Sequence, residues 1–191
     1  TKPNIRDMSL EEIEALIASL GKEKYRARQI MKWLYLGGAT SFAEMTTLAR
    51  EFRTRMEGLT RIAEPAIDRI QTASDGTKKA LFRIEDGLFI ESVLIPGRNH
   101  WTACISTQAG CAMGCVFCAT GHMGFKKNLS SGEIIEQVIH YARQLKPLGE
   151  SVTNVVVMGM GEPFHNYDNT LAALDRLRHR KSQQFHGARA T

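Results

Sequence analysis

No apolar run in the chain approaches the roughly 18 residues that a membrane-crossing helix needs, which excludes a helical membrane span. The first residues lack the apolar core of a secretory signal, so the expected compartment is the reducing cytoplasm. Charge of neither sign dominates. The formal net charge is +5 and the pI is about 9.1, a balance that permits a polyanionic partner without demanding one. Cysteine is absent from the first 103 residues and from everything after Cys118. A disulfide framework is the weaker reading of these thiols, because a chain this long can build a core and shows no secretory signal. What remains, 191 residues that are 43% hydrophobic and 24% charged, has the make-up of one globular domain, or of a small domain plus part of a larger one.

All four cysteines fall in a single stretch, Cys104-Ile-Ser-Thr-Gln-Ala-Gly-Cys111-Ala-Met-Gly-Cys115-Val-Phe-Cys118. The last three follow C-x3-C-x2-C, with Phe117 before the third. Thiolates suit zinc and iron–sulfur clusters. Structural zinc usually takes two short ligand pairs across a longer spacer, to close a tetrahedral shell. Three close-set cysteines on one loop instead leave one iron of a four-iron cubane open to a substrate. This is the spacing of radical S-adenosylmethionine (SAM) enzymes, C-x3-C-x-aromatic-C. A four-cysteine zinc site remains the competing reading.

Upstream, Ser9-Leu-Glu-Glu12 is a capping-box pattern leading into Ile13, Leu16, Ile17 and Leu20 at helical spacing, with Gly21 as the stop. A second helix is expected over Tyr25–Tyr35, a third from near Ser41, and a fourth from near Leu48 that ends before Gly58. Lys22, Lys24, Arg26, Arg28, Lys32, Arg50, Arg53 and Arg55 fit either a phosphate-facing surface or solvated helix faces balanced by Glu11, Glu12, Glu44, Glu51 and Glu57. From Ala66 the pattern turns to strands, over Ile67–Thr72, Ala80–Ile84 and Leu88–Ile95. Asp75-Gly76 and Glu85-Asp-Gly87 supply the turns of an antiparallel meander. Glu91 lies in the third strand, where it either faces solvent or serves as a base in a site.

Alternation follows. A strand is expected over Trp101–Ser106, then the cysteine loop, then a helix from Ser131 to about Ala142 capped by Ser131-Gly-Glu133. A β-branched strand over Val152–Met158 ends in Gly159-Met-Gly-Glu-Pro163, and a helix covers Asn169–Leu177. This is an α/β pattern with functional loops at the C-terminal strand ends. Glu162 there can accept from a cationic amino group.

Taken together, Glu91-Ser-Val-Leu-Ile-Pro96, Cys104 to Cys111, Cys115-Val-Phe-Cys118-Ala-Thr-Gly, Gly124-Phe-Lys-Lys-Asn-Leu129 and Asn154-Val-Val-Val-Met-Gly-Met-Gly-Glu-Pro163 resemble the radical-SAM 23S rRNA adenine C2-methyltransferases, which also modify tRNA. The related C8-methyltransferases share most of these blocks but tend to carry alanine where this chain has Pro163. The resemblance implies that Cys111, Cys115 and Cys118 hold a 4Fe-4S cluster, and that Gly161 and Glu162 hold the methionine part of SAM. It implies that Cys104 is the thiol that resolves a protein–RNA cross-link through a disulfide, and that Glu91 takes a proton from adenine. One SAM would methylate a further cysteine, and a radical made from another SAM would activate that methyl group for addition to adenine C2. It implies an electron-donating reductase and no membrane partner, in a cytoplasmic monomer.

The fold expected is a helical RNA-binding accessory domain (1–62), a β meander (63–100) and the first βα units of a partial (β/α) barrel (101–191). The methyl-carrying cysteine of the family has no counterpart, and the chain ends near Arg189-Ala-Thr191, where a third barrel strand would begin. The expectation is an inactive N-terminal portion of a longer enzyme. Apart from C8 methylation, the alternative is a zinc-stapled RNA-binding module. Lesser features read as structural: a solvated tail at Arg176, Arg178, His179, Arg180 and Lys181; loop histidines at His122 and His165; packing methionines at Met113, Met158 and Met160; and a helix cap at Ser130-Ser131.

Overall fold

A computed structural model describes residues 2–184, with side chains to 178. The chain divides into two compact units, Thr1–Glu64 and Pro65–Thr191.

The first unit is helical. Ser9 caps α1 (Leu10–Ser19), and its capping box closes with Glu12 as the sequence suggests. α2 (Tyr25–Lys32) runs on into a π turn, Trp33–Gly37, so the second helical stretch outlasts Tyr35. Near Ser41 there is only a single 3-10 turn, Phe42–Glu44, held by a Ser41/Glu44 box. α3 (Arg50–Leu59) starts later than expected and runs through Gly58, where the fully helical backbone faces open space. Ile13, Ile17, Ile30, Leu34, Met45, Phe52 and Met56 are buried at helical spacing and form its core.

The second unit is built on one mixed sheet, in the order β1 (Ala66–Thr72), β2 (Lys78–Arg83), β3 (Phe89–Pro96), β4 (Trp101–Cys104), β7 (Val152–Val156). The first four strands pair antiparallel with their sequence neighbours, and β4 pairs parallel with β7. The meander and the βα segment therefore share one continuous sheet. Both parallel strands are shorter than the sequence suggests, because the backbone after Cys104 and after Val156 leaves the ladder to build loops.

α5 (Ser131–Leu145) crosses between the parallel strands. Its cap is Ser130 rather than Ser131: Ser130 Oγ accepts from the Glu133 amide at 3.2 Å, while Glu133 accepts from the Ser130 amide at 2.9 Å. The S-x-x-E spacing demands that choice. α6 (Tyr167–Gln184) starts two residues earlier than Asn169 and runs beyond Leu177. One sheet face buries Ala80, Phe82, Ile90, Leu94 and Ala103. There Phe82 meets His140 and Tyr141 of α5 edge-on, with ring centroids 5.2 and 6.4 Å apart. The opposite face, with Lys79, Leu81, Glu91, Val93 and Cys104, is only half-buried.

Candidate active site at the ends of the parallel strands

Two loops leave the C-terminal ends of β4 and β7. The first carries the cysteines and is pinched shut at its base. Between its two ends, β5 (Gln108–Ala109) pairs with β6 (Lys127–Asn128), and the Lys126 amide donates to the Ala109 carbonyl at 2.9 Å. Gly110 sits at φ +72, and a Cβ there would lie 1.9 Å from the Gly124 carbonyl oxygen. Glycine is the residue that permits this closure.

Within the loop Cys111 is buried, Cys115 exposed and Cys118 half-buried at the start of the short helix α4 (Ala119–His122). Their apolar neighbours Val116 and Phe117 are 86% and 91% exposed. All four thiols are free. Among the described residues no three His, Cys, Asp or Glu side chains converge on a metal position. The donor set nonetheless fits a soft metal group. The three thiols share one closed loop, and Cys111 Sγ accepts from the Met113 amide at 3.5 Å. The amides of Gly121 and Thr120 favour the Cys118 thiolate and lower its pKa.

Lys127, on the return strand of this loop, is tied to Asp86 in the β2–β3 turn at 2.5 Å and to Glu133 in α5 at 3.2 Å. Although partial burial works against its charge, the two carboxylates raise its pKa. His122 Nε2 lies 3.2 Å from the Val116 carbonyl, and His165 is exposed; neither faces a ligand set. Of the three methionines expected to pack, only Met160 is buried. Met113 is 50% and Met158 81% exposed, because both lie on outward-facing loop segments.

The second loop, Gly159–Pro163, is stitched to the first. The Thr107 and Gln108 amides both donate to the Met160 carbonyl, at 2.9 and 3.2 Å, and the Gly159 amide donates to Ile105 O at 3.0 Å. Ser106 Oγ donates to the Glu91 carbonyl at 2.5 Å and accepts from the Met160 amide at 2.8 Å. Gln108 Oε1 accepts from the Glu162 amide at 2.8 Å, and its Nε2 donates to Asn128 Oδ1 at 2.8 Å. Gly161 is at φ +100, pressed against Gln108. Glu162 Oε1 caps the following 3-10 turn by accepting from the Phe164 amide at 3.0 Å. Asn166 Nδ2 donates to the carbonyls of Thr107 and Leu129, both at 2.8 Å. Beneath, buried Gln137 of α5 donates to Ser106 O and accepts from Ser106 N, both at 2.9 Å.

Sequence reading missed this scaffold of Ser106, Gln108, Gln137, Asn166 and Lys127. Gln137 was findable: it occupies an apolar-stripe position with Ile134, Val138 and Tyr141, where a polar residue needs buried partners.

Glu91 and Cys104 share the half-buried sheet face. Cys104 pairs with Val93, so Glu91 lies on the diagonal, about 7–8 Å away. Glu91 Oε1 is 3.0 Å from Lys79 Nζ. Burial raises the Cys104 pKa, opposed by the Met158 amide. Strand geometry thus places these two groups together on one side of the sheet, next to the end from which both loops depart.

The family described as ribosomal RNA large subunit methyltransferase N-terminal domain matches residues 3–62, and the radical SAM superfamily matches 105–189. The dual-specificity RNA methyltransferase RlmN of Syntrophus aciditrophicus is 60% identical over 90% of this chain and 49% of its own length. That of Geobacter sulfurreducens is 47% identical over 100% of the chain and 52% of its own. A crystal structure of a radical SAM methyltransferase from Sphaerobacter thermophilus superposes with a TM-score of 0.89 at 39% identity, covering 98% of this chain and 55% of that one. The chain spans about half the length of the curated relatives it matches. One family is thus matched in the helical unit and the other across the paired loops, and over nine-tenths or more of its length the chain is similar to about half of an RlmN-type RNA methyltransferase.

Proposed function

We propose that this chain is the cofactor-binding half of an RNA methyltransferase that places a methyl group on adenine C2 of 23S rRNA and tRNA. The observation that carries the reading is the stitching of the cysteine loop to the Gly159–Pro163 loop across β4 and β7, through Ser106, Gln108 and Met160. Cys111, Cys115 and Cys118 would hold a 4Fe-4S cluster, which when bound supplies an open iron for SAM and the electron that cleaves it. Gly161 opens the backbone toward the methionine part of SAM. Glu162 has one carboxylate oxygen committed to its own turn, while the other makes no hydrogen bond among the described residues and is free to take the amino group.

On the sheet face, Glu91 would accept the proton lost from adenine, and Cys104 would attack the cross-linked sulfur to release RNA. Proximity on one rigid sheet supports both roles. The helical unit would bind RNA. An electron-donating reductase, a cytoplasmic setting and a monomeric state complete the reading; among the described residues no helix is long and apolar enough to cross a membrane.

Anaerobic reconstitution tests the centre. About four irons per chain, a broad band near ~400 nm, and no change in Cys104→Ala are the expected results. One zinc per chain, lost with Cys104, would sink the proposal. A protein lengthened to the size of its relatives should methylate adenine C2 in RNA, and Glu91→Gln in it should lower the rate about 10²- to 10⁴-fold.

A further inference from the structure

The helical unit holds a cleft of about 490 Å³ lined by Gln29, Lys32, Trp33, Leu36, Gly37 and Thr47. It opens where α2 changes register. After Lys32 the backbone widens into the π turn Trp33–Gly37, which Gly38 ends at φ +69. Such single π turns are found frequently at functional sites.

The lining has a definite chemistry. Trp33 Nε1 donates to Thr47 Oγ1 at 2.8 Å, which fixes the indole as a wall. A Cβ at Gly37 would lie 3.2 Å from Trp33 Cε3, so glycine leaves that ring uncrowded. Gln29 Oε1 is shielded from solvent and accepts no hydrogen bond among the described residues. An orphaned acceptor gains by turning toward any donor that enters the cleft. Lys32 at the rim and Arg28 one turn before it are exposed and have no ion-pair partner among the described residues. The one acid between residues 22 and 32, Glu23, is taken by Arg26 at 3.0 Å.

A fixed aromatic wall, an acceptor lacking its donor and two free cations match a planar base that carries an amino group and a phosphate. An apolar peptide would leave Gln29 and Lys32 unanswered, and a bare phosphate would ignore Trp33. We propose that this cleft receives one unstacked nucleobase bearing an exocyclic amine, adenine, cytosine or guanine, from a single-stranded segment of RNA. Stacking on the indole supplies affinity without sequence preference, and the Gln29 amide adds the preference for an amine. The inference rests on the RNA-methyltransferase reading above.

The test follows the Trp33 indole N–H resonance of the 191-residue chain, identified by its loss in Trp33→Phe, during titration with AMP, CMP, UMP and inorganic phosphate. AMP and CMP should shift it saturably. UMP, with a carbonyl in place of the amine, should bind about five- to tenfold more weakly. Phosphate alone should leave the resonance in place. Gln29→Met should abolish the preference for AMP over UMP, and Lys32→Ala should weaken all three nucleotides alike. No shift with any nucleotide, an equal shift with phosphate, or a preference that survives Gln29→Met would each overturn the proposal. A lengthened protein that methylates RNA while the chain ignores nucleotides overturns the cleft alone. Selective nucleotide binding in a lengthened protein that never methylates upholds the cleft and overturns the methyltransferase reading.

Discussion

Gly161 and Gln108 are packed so closely that a Cβ on the glycine would sit 2.5 Å from the Cβ of the glutamine. The contact joins the loops after β4 and β7, and Gly161 holds it at φ +100, a conformation L side chains rarely adopt. Gly161→Ala should therefore separate the loops and destabilise the chain by about 1–3 kcal/mol. Urea unfolding would measure the loss. SAM binding to the reconstituted chain should fall further than stability does. An unaltered midpoint and affinity would show that the contact can relax.

Gly110 makes the analogous demand inside the cysteine loop, facing the Gly124 carbonyl. Gly110→Ala should leave the far-ultraviolet spectrum nearly unchanged while iron incorporation drops severalfold, because the β5–β6 closure lies outside the main sheet. Full iron loading in this variant would refute the role assigned to the pinch.

Gln137 is fully buried and spans both polar groups of the Ser106 backbone. Gln137→Leu strands a buried amide and a buried carbonyl. The expected cost is about 2–4 kcal/mol, larger than for an exposed glutamine such as Gln71. Comparison of Gln137→Leu with Gln71→Leu by thermal melting makes the check.

Cys104 is held as a thiol by partial burial, which raises its pKa. Iodoacetamide should modify it more slowly than Cys118 at neutral pH, and its rate should climb only as pH rises above the usual thiol range. The neutral form is the one the fold favours, so the stability it contributes is present at low and neutral pH and declines as pH rises through the raised value. Peptide mapping after timed alkylation reads the order directly.

His140 behaves in the opposite sense. Burial, reinforced by Arg143, lowers its pKa from 6.5 to about 4. Gln144 Nε2 lies 2.8 Å from His140 Nε2, and an amide donating there needs that ring nitrogen bare. The fold thus favours neutral imidazole. That contribution is complete above pH 6.5 and is lost as pH falls toward 4. In His140→Gln, this part of the acid sensitivity should vanish; denaturant midpoints at pH 7, 5.5 and 4.5 would show whether it does.

The meander, the crossover helix and the cysteine loop were legible because each is announced locally: by Asp75-Gly76, by the apolar spacing of Ile134, Ile135, Val138 and Ile139, by C-x3-C-x2-C; the cap itself was placed one residue late, at Ser131 instead of Ser130. Element ends were less so. β4 and β7 stop early since their last residues turn away to bond each other's loops, as in Thr107 and Gln108 to Met160. The π turn after Lys32 was invisible, because Trp33, Leu34 and Tyr35 keep an apolar pattern that an ordinary helix would satisfy equally. The polar stitching through Ser106, Gln108 and Asn166 was also unreadable. A serine or amide in a loop shows its partner only once distant segments meet. Of the basic run at the end, Arg176 donates to Ser131 Oγ at 2.7 Å and Arg178 pairs with Asp175 at 3.5 Å, whereas the side chains of His179, Arg180 and Lys181 lie outside the described residues, as do residues 185–191.

The strand order carries a consequence for the sequence of events in folding. Every pairing from β1 to β4 joins chain neighbours through short turns, while β4 with β7 must close a loop of about fifty residues. Closing long loops is the slow step in building a sheet. The hairpins and the small β5–β6 clasp can form first, leaving the cysteines gathered yet open to iron delivery from solvent. Only when β7 docks does Gly161 reach Gln108. On this order, the cysteine loop is closed at its base before the Gly159–Pro163 loop reaches it.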